Sequence, residues 1–298
     1  MNIWAIPWDK VSVFCFLASY VVALALEGVR LLKQTTINRL FMLGFAFAGL
    51  AAHTIYLVIR SRHSGLPPLL SSSHDWMLVL AWIAVLFYLV LSAVDRNLLV
   101  GMFLLPLVLV LIASAYFISD SPNTVMDAAP QWKMLHAALL VFGIAGVIMG
   151  IVLSMMYLFQ HYRLKHKHPM KPGLKLPNLE RLARMNWWAV VLSVPLLTLG
   201  LATGVGLGWH SRGGDSPISF RDPVVLGNGL AWLVMIVFFG WLLTTKRPTG
   251  KQVAWLTVWA SGFLLVTLIG LQVLSGRSIS TWHTQLVPVA DTLVRVMV

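Results

Sequence analysis

The chain has 298 residues, of which 58% are hydrophobic and only 11% charged, with a mean hydropathy of +0.82 and a formal net charge of +12. A soluble domain carries about 25% charged residues, so a water-soluble globule is excluded, and so is a disordered chain, which needs low hydrophobicity. The single cysteine, Cys15, excludes a disulfide framework, a cysteine zinc site, a CxxC redox pair and a covalent CxxCH haem site.

A helix that crosses about 30 Å of hydrocarbon needs about 20 mostly apolar residues. Eight segments meet this in chain order: 11–30, 39–59, 76–94, 97–117, 134–159, 187–208, 224–244 and 253–274. None shows the short period-2 alternation of a β-barrel. The first carries Asp9 and Lys10 at its front and a long apolar run, unlike a cleavable signal. No fixed-period repeat and no soluble domain are visible. The tail 282–298, with Trp282, Leu286, Val287, Leu293, Val294 and Met297, is expected to form a short surface helix. The expected fold is therefore all-α, a single polytopic membrane domain over 1–298 with about eight transmembrane helices.

Lys and Arg in the connections set the orientation. In and beside loops 1–2, 3–4, 5–6 and 7–8 there are 14, against 8 in the termini and the remaining loops. The richer side should face the cytoplasm, which puts both termini outside. Loop 160–186 weighs most, with Arg163, Lys165, Lys167, Lys171, Lys175, Arg181 and Arg184. It also carries His161, His166 and His168. A basic loop lying on anionic headgroups explains it more simply than a metal or haem site. The net charge thus reflects topology and a lipid bilayer rather than nucleic acid.

Ionisable residues inside a span are costly and point to function. His53 falls within helix 2 and His136 at the start of helix 5. His210 and His283 stand just beyond helices 6 and 8, and His63 and His74 flank loop 2–3. On the topology above these six lie on the outer side and only the three of the basic loop lie inside. Imidazole ligates haem iron, and two can hold one haem from both faces. For any one of these histidines, a hydrogen-bonded packing role weighs as much as ligation.

Thirteen tryptophans accompany them. Interfacial anchoring accounts for Trp4, Trp8, Trp187 and Trp188. Trp209 and Trp232 bracket loop 6–7, where an aromatic platform would suit a porphyrin. Arg212 and Arg221 there would pair with its propionates. Solvated loop arginines explain the same pair equally well.

These residues resemble the cytochrome c assembly membrane proteins of the CcsA, ResC and HemX type, from helix 2 to the tail. Ala52-His53-Thr54-Ile55-Tyr56-Leu57-Val58-Ile59-Arg60, then Ser64-Gly65-Leu66-Pro67-Pro68, is similar to the family's L-H-T-L-x-L-x-x-R-W-x-x-S-G-x-x-P. Asp75, within the stretch from Ser71 to Trp82, takes the place of the family's acid before a helix. Leu135-His136-Ala137 stands where the family has an outward haem-ligating histidine. Thr198 to Gly204 resembles its glycine-bearing helix. Ser278-Ile279-Ser280-Thr281-Trp282-His283 resembles the segment with the second outward histidine. The family's tryptophan-rich loop, W-G-x-x-W-x-W-D-P-K-E-x-W, is degenerate over 209–223. Trp209, Asp222 and Pro223 remain, with Phe220 near a tryptophan position and Trp232 further on. Arg221 replaces the Trp before the Asp, Val224 and Val225 the Lys-Glu pair, and Gly227 another Trp. Helix 7 lacks the histidine that typical members carry near its inner end.

The resemblance implies a protein of the inner (cytoplasmic) membrane that binds haem b non-covalently and transiently at its outer face. It would present that haem to apocytochrome c as part of a haem-lyase complex. His136 and His283 would be the axial ligands, above a loop that uses Trp209, Arg221, Asp222 and Trp232. His53 would be a ligand where haem enters, or a structural group. With one cysteine, a thiol reductant and a second assembly subunit must be separate partners. A HemX-like accessory of haem biosynthesis, a di-haem cytochrome b and a haem-free transporter remain alternatives. The bare inner half argues against the cytochrome b, and the lack of visible repeats against the transporter.

Overall fold

The computed structural model describes residues 12–32, 35–94, 99–118, 130–166, 177–210, 223–246 and 248–275. The described residues form helices and turns only: α1 (Val13–Leu32), α2 (Thr36–Ser64), α3 (Pro68–Ser71), α4 (Ser73–Val94), α5 (Gly101–Ala115), α6 (Pro130–Lys165), α7 (Leu179–His210), α8 (Pro223–Thr244) and α9 (Gly250–Ser275). Every expected span is a helix, so the all-α membrane bundle stands. Seven of them are long and apolar enough to cross a membrane, which makes this a multi-pass membrane protein. The exception is the fourth span, expected over 97–117. Its helix has 15 residues, about 22 Å at 1.5 Å per residue.

Helix ends follow local chemistry. Thr35 caps α2 by accepting the Asn38 amide at 3.2 Å, and Gly65 ends it in the left-handed region at φ 65°, where a side chain is strained. Pro67 and Pro68 then admit only the short α3. Asn178 caps α7 by accepting the Arg181 amide at 2.8 Å. Thr249 and Gln252 exchange hydrogen bonds at the start of α9, each side chain accepting the other's backbone amide at 3.2–3.3 Å.

The basic loop 160–186 is corrected. α6 continues to Lys165 and α7 begins at Leu179, so Arg163, Lys165, Arg181 and Arg184 ride on helix ends. Hydropathy marks where a helix leaves hydrocarbon, not where its backbone hydrogen bonds stop. At 36 and 32 residues, α6 and α7 are about 54 and 48 Å long and outreach the hydrocarbon. Trp209 and His210 likewise belong to α7, and Pro223 and Trp232 to α8, so only 211–222 of the expected outer loop 209–223 separates helices. The tail 282–298 lies outside the described residues.

Packing divides the bundle into two halves that repeat one arrangement. In the first, α1 packs on α2 and α5, α2 on α4, and α4 on α5; in the second, α6 packs on α7 and α9, α7 on α8, and α8 on α9, with an added contact of α7 on α9. The third long helix of each half has 22 residues and a tryptophan at its tenth position, Trp82 or Trp232. Each indole donates to a threonine of the preceding long helix, Trp82 to Thr54 at 2.8 Å and Trp232 to Thr198 at 3.1 Å. Each threonine in turn donates to the carbonyl four residues back, Leu50 or Val194, at 2.8 Å. Sequence reading found no repeat because the likeness lies in which positions touch, while the core residues around them differ. The halves meet where α6 lies against α3, α4 and α5.

Candidate functional site

Leu91 and Val100 share a small void with Met156 and Pro177. The end of α4, the start of α5, the later part of α6 and the start of α7 therefore lie at one end of the bundle. The opposite end gathers the end of α2, the start of α4, the end of α5, the start of α6 and the end of α7. It carries His74, His136, Trp209 and His210, with His53 further in.

His136 sits two turns into α6. Its Nδ1 lies 2.8 Å from the Gly200 carbonyl oxygen on α7 and 3.3 Å from Thr203 Oγ1. A carbonyl oxygen only accepts, so Nδ1 carries the proton and the lone pair of the neutral ring is on Nε2. This is the tautomer of a metal-ligating histidine, whose other nitrogen donates to a carbonyl or carboxylate. The ring fits because residue 204 is glycine: a Cβ there would stand 2.7 Å from His136 Cε1. Two small residues nearby, Gly143 and Gly146, bring α6 within side-chain contact of Leu197 and Ser193 on α7. The donor chemistry at His136 thus fits a haem ligand.

His74, read only as a loop-flanking residue, shows the same arrangement: its Nδ1 lies 2.9 Å from the Ala115 carbonyl oxygen, leaving the lone pair on Nε2. The signal in sequence was its place in the first turn of a helix, opposite the end of the next.

His53 is different. It is fully buried between α1 and α2, stacked on Phe16 with centroids 4.1 Å apart and planes 1° from parallel. Its Nδ1 lies 3.3 Å from Tyr20 Oη, and Nε2 has no hydrogen-bond partner among the described residues. The structure does not bring His53 together with His136; they occupy different halves. Trp209 is 67% exposed at the end of α7. Trp232, bonded to Thr198, packs inside the second half. His283, Arg221 and Asp222 lie outside the described residues.

Arg60 and Asp75 close the end of the first half. Arg60 Nε donates to Asp75 Oδ1 at 2.9 Å, Ser71 Oγ donates to Asp75 Oδ2, and the Asp75 amide donates to Ser72 Oγ at 3.1 Å. Asp75 is 1% exposed. Its oxygens are satisfied, as a buried carboxylate requires, so the family-like Arg and acid are the pair that pins α2 to α4.

The described residues thus form a polytopic helical bundle with a carbonyl-oriented histidine at one end. The family model described as "Cytochrome C assembly protein" matches residues 70–279, and the chain belongs to that family. It is 25% identical to the cytochrome c biogenesis protein CcsA of Guillardia theta over 80% of this chain and 84% of that one. Against CcsA of Chlamydomonas reinhardtii it is 30% identical over 72% of this chain and 62% of that one. Against protein HemX of Bacillus subtilis it is 26% identical over 78% and 82%. No solved structure matches the chain.

Proposed function

We propose that the chain binds haem b at the histidine-bearing end of the bundle and presents it to apocytochrome c during cytochrome c biogenesis. One observation carries the reading: the Nδ1–H of His136 is held by the Gly200 carbonyl over Gly204, which aims its chemistry at ligation through Nε2. The CcsA relatives, named for cytochrome c biogenesis, support the process. His136 and His283 would be the residues that ligate the haem iron. Trp209 offers an aromatic face, and Arg221 clamps a propionate with its planar guanidinium. Bound haem supplies vinyl groups to which two cysteine thiols of the apocytochrome add as thioethers. The chain's own residues hold and orient that plate. Cys15 is a lone, exposed thiol, so a thiol reductant and a second assembly subunit act beside it. On this reading the membrane is the inner (cytoplasmic) one, the histidine-bearing end faces outward, and both termini lie outside. His53, enclosed by Phe16 and Tyr20, serves as a packing residue of the first half.

The likeness to HemX favours a second reading, an accessory role in haem biosynthesis. His136→Ala decides whether haem binds where proposed: the Soret band of the purified protein should fall or shift, with partial rescue by added imidazole, while His161→Ala leaves it unchanged. An unaltered spectrum in both His136→Ala and His283→Ala removes the assignment. Normal c-type cytochrome levels in a deletion strain without a paralogue would favour the accessory reading.

A further inference from the structure

The seam between the two halves is not filled by side chains. A groove of about 410 Å³ runs along it between α4, α6 and α7, from Leu135 to Met149. Fourteen helical steps make it about 21 Å long, two-thirds of the hydrocarbon depth. Its floor is small, with Ala138, Ala145 and Ala189; its lips, Phe142 and Leu192, are 57% and 59% exposed and face the bilayer. No charged side chain, histidine or cysteine is among its lining residues, and Met149 is their one thioether. Ser193, its one hydroxyl, donates to the Val190 carbonyl at 3.3 Å. Such a slot suits a flexible hydrocarbon chain and offers a porphyrin's propionates no cation.

What lies beyond the groove specifies the rest of the ligand. Met149 also lines a smaller void bounded by Met156, Leu182 and Met185. Along the same helix faces, Arg181 stands on α7 one turn before Met185, and Arg163 on α6 two turns after Met156. Arg181 is exposed and Arg163 half-exposed. Lys165 and Arg184 lie beside them, and Glu180 is the acid at this mouth. The edge-to-face pair Trp187 and Trp188, with centroids 5.0 Å apart, follows Met185 closely on α7, and indoles mark the headgroup region.

We propose that the seam binds an anionic phospholipid, one acyl chain in the α4–α6–α7 groove and its phosphate between Arg163 and Arg181. The lipid fills the joint between the halves and sets how firmly they pack.

The test is native mass spectrometry of the full chain released from an equimolar mixture of phosphatidylglycerol and phosphatidylcholine. Retention of phosphatidylglycerol should exceed that of phosphatidylcholine. A basic residue at an anionic surface is worth about 1 kcal/mol, so Arg163→Gln and Arg181→Gln should each lower that preference about fivefold. Ala138→Phe, which obstructs the groove, should lower retention of both lipids. If Ala138→Phe fails to fold, Leu192→Trp at the exposed lip takes its place. Equal retention of the two lipids, or a preference unchanged by both arginine variants, overturns the head site. Retention unchanged in a folded groove variant overturns the tail site. Stoichiometric displacement of lipid by haem, lost in the groove variant, would show a porphyrin site instead.

Discussion

Replacing Gly204 with alanine tests the geometry at His136 most directly, because two opposing effects have known sizes. Alanine in place of a helical glycine favours the helix by about 1 kcal/mol. The new Cβ, however, would lie 2.7 Å from His136 Cε1 and 3.2 Å from Nδ1, so the ring must move. Movement breaks the 2.8 Å bond from Nδ1 to the Gly200 carbonyl, worth about 0.5–1.5 kcal/mol, and overpacking adds about 1–3 kcal/mol. The sum is a net loss of about 0.5–3.5 kcal/mol. Gly206, two residues on in the same helix, is the control: nothing lies within 4 Å of a Cβ built there, so Gly206→Ala should be neutral or stabilising by up to about 1 kcal/mol. Thermal unfolding in detergent reads the first effect. The haem spectrum reads the second, since a displaced ring no longer presents Nε2 in the same direction. If Gly204→Ala matches Gly206→Ala in both, the ring is not held as described, and ligation by His136 loses its structural support.

Asp75→Ala removes the acceptor of Arg60 and Ser71 at a buried position and should destabilise the first half. The loss should be about 2–3 kcal/mol, below the usual range for breaking a buried pair because Arg60 is 27% exposed; chemical denaturation in mixed micelles measures it. Gly49→Ala places a Cβ 2.6 Å from Tyr20 Cε1 and 3.0 Å from Ser19 Cβ; overpacking of about 1–3 kcal/mol less about 1 kcal/mol of helix propensity leaves a cost of about 0–2 kcal/mol, read as a lower melting temperature than Gly206→Ala with the His136 haem signal retained. For orientation, cysteines introduced at Lys171 and Asp215 are labelled in intact cells with an impermeant reagent. Only the second should react, and labelling of the first would reverse the topology.

The membrane class, the eight helices and the gathering of histidines at one end were legible in the sequence, because each depends on local composition. Apolar runs of spanning length can only be helices in lipid, and once helices alternate in direction, position along each run assigns His74, His136 and His210 to one end. Tertiary structure decided what each of these residues does. His53 and His136 look alike as intramembrane histidines, yet one is stacked against Phe16 and the other bonded to a backbone carbonyl on a different helix. The length of α6 and α7 beyond the hydrocarbon escaped hydropathy because backbone hydrogen bonding continues where apolar side chains stop. The repeated halves also appeared only in three dimensions. Trp82 with Thr54 and Trp232 with Thr198 are separated by 28 and 34 residues, so no constant period links them, and only the packing of four helices shows that the two pairs are the same joint made twice.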